Sequence, residues 1–150
     1  MAPGSNCVVN IAFKPTFFGS RVGTLTIASD SSPAAPVVSL AGTGVAAAPI
    51  LSPTSISFGN VTVGGKAVSQ TVQLKAVAPG PLSISSISVN TGFSQTNKCP
   101  ATLNAGSSCS ITVSFKPTVA GTFSGSLIIV DNGLGSPHSV PVSGTGVKKH

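Results

Sequence analysis

Apolar and polar residues alternate along most of this chain, and clusters of Gly, Pro, Ser, Asn and Asp interrupt the alternation at short intervals. Alternation with a period of two, bounded by turn residues, is the signature of strands that bury one face. In the first part of the chain it predicts Cys7–Phe13 with Val9, Ile11 and Phe13 on one face, Gly23–Ser29 with Leu25 and Ile27, and Val37–Ala41 with Val38 and Leu40. Val45-Ala-Ala-Ala-Pro49 reads as a short linker, because the proline opposes a helix through the alanines. Beyond it, Ile50–Leu51 and Ser55–Phe58 form a first strand split at Pro53, which suits a sheet edge. Gly59–Gly65 is turn-rich. A second strand is marked by Val68, Val72 and Leu74, and a third by Leu82, Ile84, Ile87 and Val89, with Ser85-Ser86 as a bulge that switches the face. Phe93 and Leu103 flank an irregular segment, and Ser108–Phe115, Phe123–Val130 and Ser139–Ser143 complete about seven strands with no amphipathic helix. Two packed antiparallel sheets are the expected solution.

One stretch occurs twice. Cys109-Ser-Ile-Thr-Val-Ser-Phe-Lys-Pro-Thr118 matches Cys7-Val-Val-Asn-Ile-Ala-Phe-Lys-Pro-Thr16 at an offset of 102, and the register holds to the end. Leu25 falls on Leu127, Ile27 on Ile129, and Gly42-Thr-Gly44 on Gly144-Thr-Gly146. The expected organisation is therefore the carboxy-terminal half of a repeat at 1–45, a linker at 46–49, a complete repeat at 50–147 and a tail at 148–150. A unit of about 100 residues has the size of an immunoglobulin-like sandwich.

Composition narrows the possible chemistry. The chain has no Trp and no Tyr, and Asp30 and Asp131 are its two acidic residues. The net charge of +6 reflects missing acids rather than a basic cluster, since Lys14, Arg21, Lys66, Lys75, Lys98 and Lys116 are dispersed. Nucleic-acid binders concentrate their cations, so no nucleic-acid partner is expected. No apolar run reaches membrane-spanning length and Met1–Asn6 lacks the apolar core of a signal peptide, so no membrane insertion is expected and any export signal lies outside this sequence.

Taken in order, Phe58-Gly59-x-Val61-x-Val63-Gly64, Pro81-Leu82-x-Ile84-x-x-Ile87, Cys99, the Cys109–Gly121 stretch and Gly144-Thr145-Gly146 resemble a known repeat. The set is similar to the bacterial choice-of-anchor D repeat and its relatives, the abnormal-spindle/hydin (ASH) and major-sperm-protein-like immunoglobulin domains. The resemblance implies a seven-stranded sandwich in tandem arrays on secreted or envelope proteins, and it brings no catalytic residues. It also implies a disulfide between Cys99 and Cys109, worth roughly 2.5–3 kcal/mol for so short a loop. Two buried thiols are the alternative reading of the same pair. A disulfide would place the protein in an oxidising compartment. Cys7, the counterpart of Cys109, is then an unpaired or intermolecular thiol, because its expected partner position falls ahead of Met1.

Candidate chemistry beyond the cysteines is thin. His138 and Asp131 lack the third group of a hydrolase triad, and the first unit has Pro36 where His138 stands. Asp30 and Asp131 are read as turn formers, since one carboxylate per unit is too few for calcium. Lys14 and Lys116 are read as outward lysines beside a buried Phe, and Gly42–Gly44 and Gly144–Gly146 as strand-terminal turns. No catalytic, cofactor or metal site is expected. The expected role is a non-enzymatic extracellular or bacterial cell-surface module: a spacer, an adhesin stalk or a self-assembling filament subunit. Its partners would be other copies or adjacent repeats, through strand pairing by residues 7–44. The alternative is a protein- or carbohydrate-binding accessory module, with the lack of Trp and Tyr weighing against sugar stacking.

Overall fold

The computed structural model describes residues 5–15, 18–28, 35–46, 48–77 and 79–149, and among these residues there are strands and no helix. The chain divides into two compact units, Met1–Val45 and Ala46–His150.

Among the described residues the second unit holds nine strands: β3 (Ala48–Ser52), β4 (Ile56–Thr62), β5 (Val68–Val77), β6 (Leu82–Val89), β7 (Phe93–Asn97), β8 (Thr102–Leu103), β9 (Ser108–Phe115), β10 (Gly121–Asp131) and β11 (His138–Val147), following the two strands described in the first unit. They form a five-stranded sheet in the order β4-β11-β10-β6-β8 and a four-stranded sheet in the order β3-β5-β9-β7. All pairings are antiparallel except that of β4 with β11. This is the expected immunoglobulin-like all-β sandwich.

Alternation decides which side chains meet between the sheets. Val72, Leu74 and Ala76 of β5 and Ile111, Val113 and Phe115 of β9 point inward from one sheet. Leu127 and Ile129 of β10 and Val140 and Val142 of β11 point inward from the other. Gln73 and Lys75 take the outward phase. Phe115 is fully buried at the centre of four rings, with centroids 5.0 Å from Phe93, 5.2 Å from Phe123 and 5.7 Å from Phe58. Its ring lies against the bare backbone of Gly144 on the facing sheet, where an added Cβ would stand 2.6 Å from Phe115 Cε1. Two side-chain amides tie the sheets together at the edges: Gln70 Nε2 donates to the Ser57 carbonyl at 2.7 Å, and Gln95 Nε2 to the Ile87 carbonyl at 2.9 Å.

The split first strand is present, with its halves in different sheets: β3 pairs with β5 and β4 with β11, each at an edge. The bulge at Ser85 is also present, because Val130 faces Ser86 while the next residue, Asp131, faces Ile84. Four expectations need correction. Gly59–Thr62 continues β4 rather than turning, since Gly59 (φ 62°) absorbs one extra residue as a bulge and returns Val61 to the core. The segment between Phe93 and Leu103 contains β7 and β8; the polar run Ser94–Asn97 masked a strand that borders β9 at the sheet edge, where it buries little. Gly144 and Gly146 lie inside β11, and they are glycines because Phe115, and Pro117 with the Val119 carbonyl, occupy the space a Cβ would need. Ala48 and Pro49 of the segment read as a linker belong to β3.

Among its described residues the first unit has two strands, β1 (Gly19–Thr26) and β2 (Val37–Gly44), paired antiparallel from Gly19 opposite Gly44 to Thr26 opposite Val37. Shifted by 102, this is the register of β10 on β11, which starts with Gly121 opposite Gly146. Cys7–Phe13, expected as a strand, has no ladder. Its counterpart β9 is held between β5 and β7, and the described residues of the first unit supply neither neighbour. Asp30 lies outside the described residues.

Phe115→Ala is expected to cost about 3–5 kcal/mol in urea unfolding, as an aromatic-to-alanine change in a packed core. Phe13→Ala, its counterpart at 53 % exposure, should change stability by less than about 0.5 kcal/mol. Equal losses would contradict the burial described here.

Candidate functional site

The repeated positions differ most in what covers them. Val9, Ile11 and Phe13 are each more than half exposed, whereas Ile111, Val113 and Phe115 at the same positions are sealed. Ile27 and Val38 are likewise exposed where Ile129 and Val140 are buried. Leu25 and Leu40, on the same face, are half-buried. Among the described residues, the first unit therefore carries the inward pattern of a sandwich with no second layer of strands over it. Contiguous apolar surface of this kind marks an interaction site more often than it marks bare solvent.

One internal contact holds this open face in shape. The Phe13 ring lies against Gly42, where an added Cβ would stand 2.8 Å from Phe13 Cζ, just as Phe115 lies against Gly144. The unladdered segment Cys7–Phe13 thus keeps a packing anchor onto β2. Arg21 occupies the position of Phe123 and bonds locally, its guanidinium donating to the Ser20 carbonyl at 3.0 Å.

The cysteines fall where the repeat puts them. Cys99 and Cys109 form a disulfide with Cα atoms 5.2 Å apart, joining the loop after β7 to the start of β9. Both sulfurs pack on the edge of the core. Cys7 is a free thiol and exposed. Beside the disulfide, an open cleft of about 670 Å³ is lined by residues that include Thr96, Lys98, Pro100, Leu103, Asn104 and Ser107.

Asp131 and His138 are closer to the core than their turn-like context suggests. Asp131 extends the inward stripe of Leu127 and Ile129, and His138 that of Val140 and Val142, so both side chains point into one end of the sandwich. The Asp131 side chain is fully buried and its Oδ1 lies 3.5 Å from His138 Nε2. The Gly133 amide donates to the same oxygen at 2.7 Å, the turn-forming role expected, while Oδ2 has no hydrogen-bond partner among the described residues. The signal for this burial was the period-two phase shared with Leu127 and Ile129. Lys14 and Lys116 are both exposed, the latter beside buried Phe115 and Pro117. Among the described residues no three His, Cys, Asp or Glu side chains gather as metal ligands.

The sequence profile of ASH (Abnormal spindle-like microcephaly-assoc'd, ASPM-SPD-2-Hydin) matches residues 44–139. Among solved structures the chain is similar to a protein of unknown function from Porphyromonas gingivalis W83, at 16% identity and a TM-score of 0.59 over 88% of this chain and 68% of that one. It is also similar to the ASH / PapD-like domain of human CEP192 (PapD-like domain 7), at 13% identity and a TM-score of 0.53 over 84% of this chain and 99% of that one. At such identities the likeness concerns the fold. No curated protein sequence matches the chain.

Replacing both Cys99 and Cys109 by Ser is expected to lower the stability of the Ala46–His150 unit by about 2.5–3 kcal/mol, the loop-entropy value for this separation. An unchanged denaturation midpoint would show that the bond does not constrain the fold.

Proposed function

Because the chain belongs to the ASH family through residues 44–139, we propose that it is a non-enzymatic structural module that spaces and joins other parts of an extracellular or bacterial cell-surface assembly. The observation that carries this reading is the parallel pairing of β4 with β11, from Ile56 opposite Val142 to Thr62 opposite Val147. The first strand of the unit is split between β3 and β4 and runs alongside the last strand in the same direction. The chain therefore enters the Ala46–His150 unit at one end and leaves at the other, as a spacer requires. Tension between the two ends loads the β4–β11 hydrogen bonds together in shear rather than one at a time.

The disulfide supports the location, since such bonds persist in oxidising compartments. It also removes the residues between Cys99 and Cys109 from the length released when the unit unfolds. The exposed apolar face of residues 7–44 supports a joining role, because such a surface is satisfied by further strands.

Single-molecule pulling through the two ends of this unit tests the spacer reading. A single cooperative rupture is expected, and reduction should lengthen the released chain by about 3 nm, the extent of ten extended residues less the cystine span. Stepwise peeling at low force would overturn the mechanical role. Acid-quenched alkylation in the native host tests the compartment: Cys99 and Cys109 should resist alkylation until reduced, and two freely alkylated thiols would contradict an extracellular site.

A further inference from the structure

We infer that Asn132 is a latent site of spontaneous modification, deamidated to aspartate and isoaspartate, and that the Asp131 carboxylate holds it unreactive while this end of the sandwich is closed.

Asn132 is the one asparagine of the chain that glycine follows. Deamidation begins when the amide nitrogen of the next residue attacks the asparagine Cγ, and glycine, with no Cβ, obstructs that approach least. Packing nevertheless demands a glycine here. A Cβ at Gly133 would stand 2.8 Å from Asp131 Oδ1, 2.9 Å from Leu82 Cδ1 and 2.9 Å from Pro49 Cδ. Asn132 is also in use. Its backbone amide donates to the Ser83 carbonyl at 3.1 Å, and its Oδ1 accepts from the Ser83 amide at 2.8 Å. These bonds carry the pairing of β10 with β6 one residue beyond Asp131 opposite Ile84. The fold therefore imposes the reactive pair, one residue by close approach and the other by its bridge.

The same bonds keep the reacting groups apart. The Gly133 N–H is directed at Asp131 Oδ1, 2.7 Å away and buried. The Asn132 side chain is turned to β6 at the exposed surface. Attack needs the Gly133 nitrogen released from the carboxylate and the Asn132 amide released from Ser83. A hydrogen bond to a carboxylate is among the stronger ones. Asp131 is held in turn, its own amide donating to Ser136 Oγ at 2.9 Å, with His138 Nε2 3.5 Å from Oδ1. It is the one acidic residue between Ala46 and His150, and its carboxylate is committed to this bond.

Once this end opens, hydroxide takes the Gly133 amide proton and the nitrogen attacks Asn132 Cγ. A succinimide ring forms as the side-chain nitrogen leaves as ammonia, taking a proton from water and restoring the hydroxide. Water then opens the ring. Cleavage of the new Cγ–N bond leaves aspartate, and cleavage of the original backbone C–N bond leaves isoaspartate. One water enters, one ammonia leaves, and no oxidant or reductant is needed. Isoaspartate puts an extra carbon into the main chain between residues 132 and 133, so the bonds to Ser83 and to Asp131 no longer fit together. A transient opening thus becomes a permanent change.

The test incubates the full chain, disulfide intact, in a mildly alkaline buffer with and without guanidinium chloride. Peptide mapping by mass spectrometry follows residue 132, with Asn104, which alanine follows, as internal control. Conversion at Asn132 is expected to be at least about tenfold slower in the native protein than in denaturant. That ratio should match the hydrogen-exchange protection of the Gly133 amide under the same native conditions. Equal rates with and without denaturant, or native conversion faster than Gly133 protection allows, would overturn the proposal. Asp131→Ala should speed native conversion at least about tenfold, whereas Asp131→Asn, which keeps an oxygen acceptor in place, should leave it slow, with Asn104 unchanged in both. A folded Asp131→Ala protein that converts at the original rate would remove the carboxylate's role. Slower conversion would reverse it, making the carboxylate a base for the attack. If Asp131→Ala does not fold, the comparison of native conversion with Gly133 exchange decides alone.

Discussion

The packing of Phe115 against the bare backbone of Gly144 is the contact on which the rest of the sandwich depends. Phe115 enters from the sheet of β9 and Gly144 sits on the facing sheet, so one ring fixes the spacing of the two layers. Phe58, Phe93 and Phe123 then close around it from β4, β7 and β10. A side chain at residue 144 would push that ring out of the centre and loosen all four strands together. Close packing makes such a site intolerant of even one added methyl group.

The same contact recurs between Phe13 and Gly42, and there it stands almost alone. Side chains that are sealed in the second unit are half exposed in the first, although their sequence pattern is the same. Alternation specifies which face of a strand is apolar. Burial follows only when neighbouring strands are present to supply the opposing layer. The difference between the units is therefore one of partners rather than of local sequence.

Much of this was legible in the sequence because it rests on local pattern. Ser108–Phe115 reads as a strand because three large apolar residues alternate without interruption, and the structure has β9 over those residues. Pro53 marks the break between β3 and β4, and Ser85-Ser86 marks the bulge in β6. What escaped depends on contacts between distant residues. Gly144 reads as a turn residue until the ring of Phe115 is placed on it. Ser94–Asn97 has no apolar pattern because β7 lies at the rim of its sheet. Asp131 reads as a turn former, which it is, but its phase relative to Leu127 and Ile129 also carries it inward. Cys7–Phe13 has the pattern of a strand and lacks the ladder, since a ladder belongs to a pair of strands.

Native-state hydrogen exchange on the isolated chain tests the central claim, that identical patterns are buried in one unit and open in the other. Amides of Ile111, Val113 and Phe115 should exchange at least about 100-fold more slowly than those of Val9, Ile11 and Phe13, because the former open only with the sandwich and the latter lack a ladder. Comparable protection of the two sets would contradict the account, since it would mean that the open face is already covered within the chain itself.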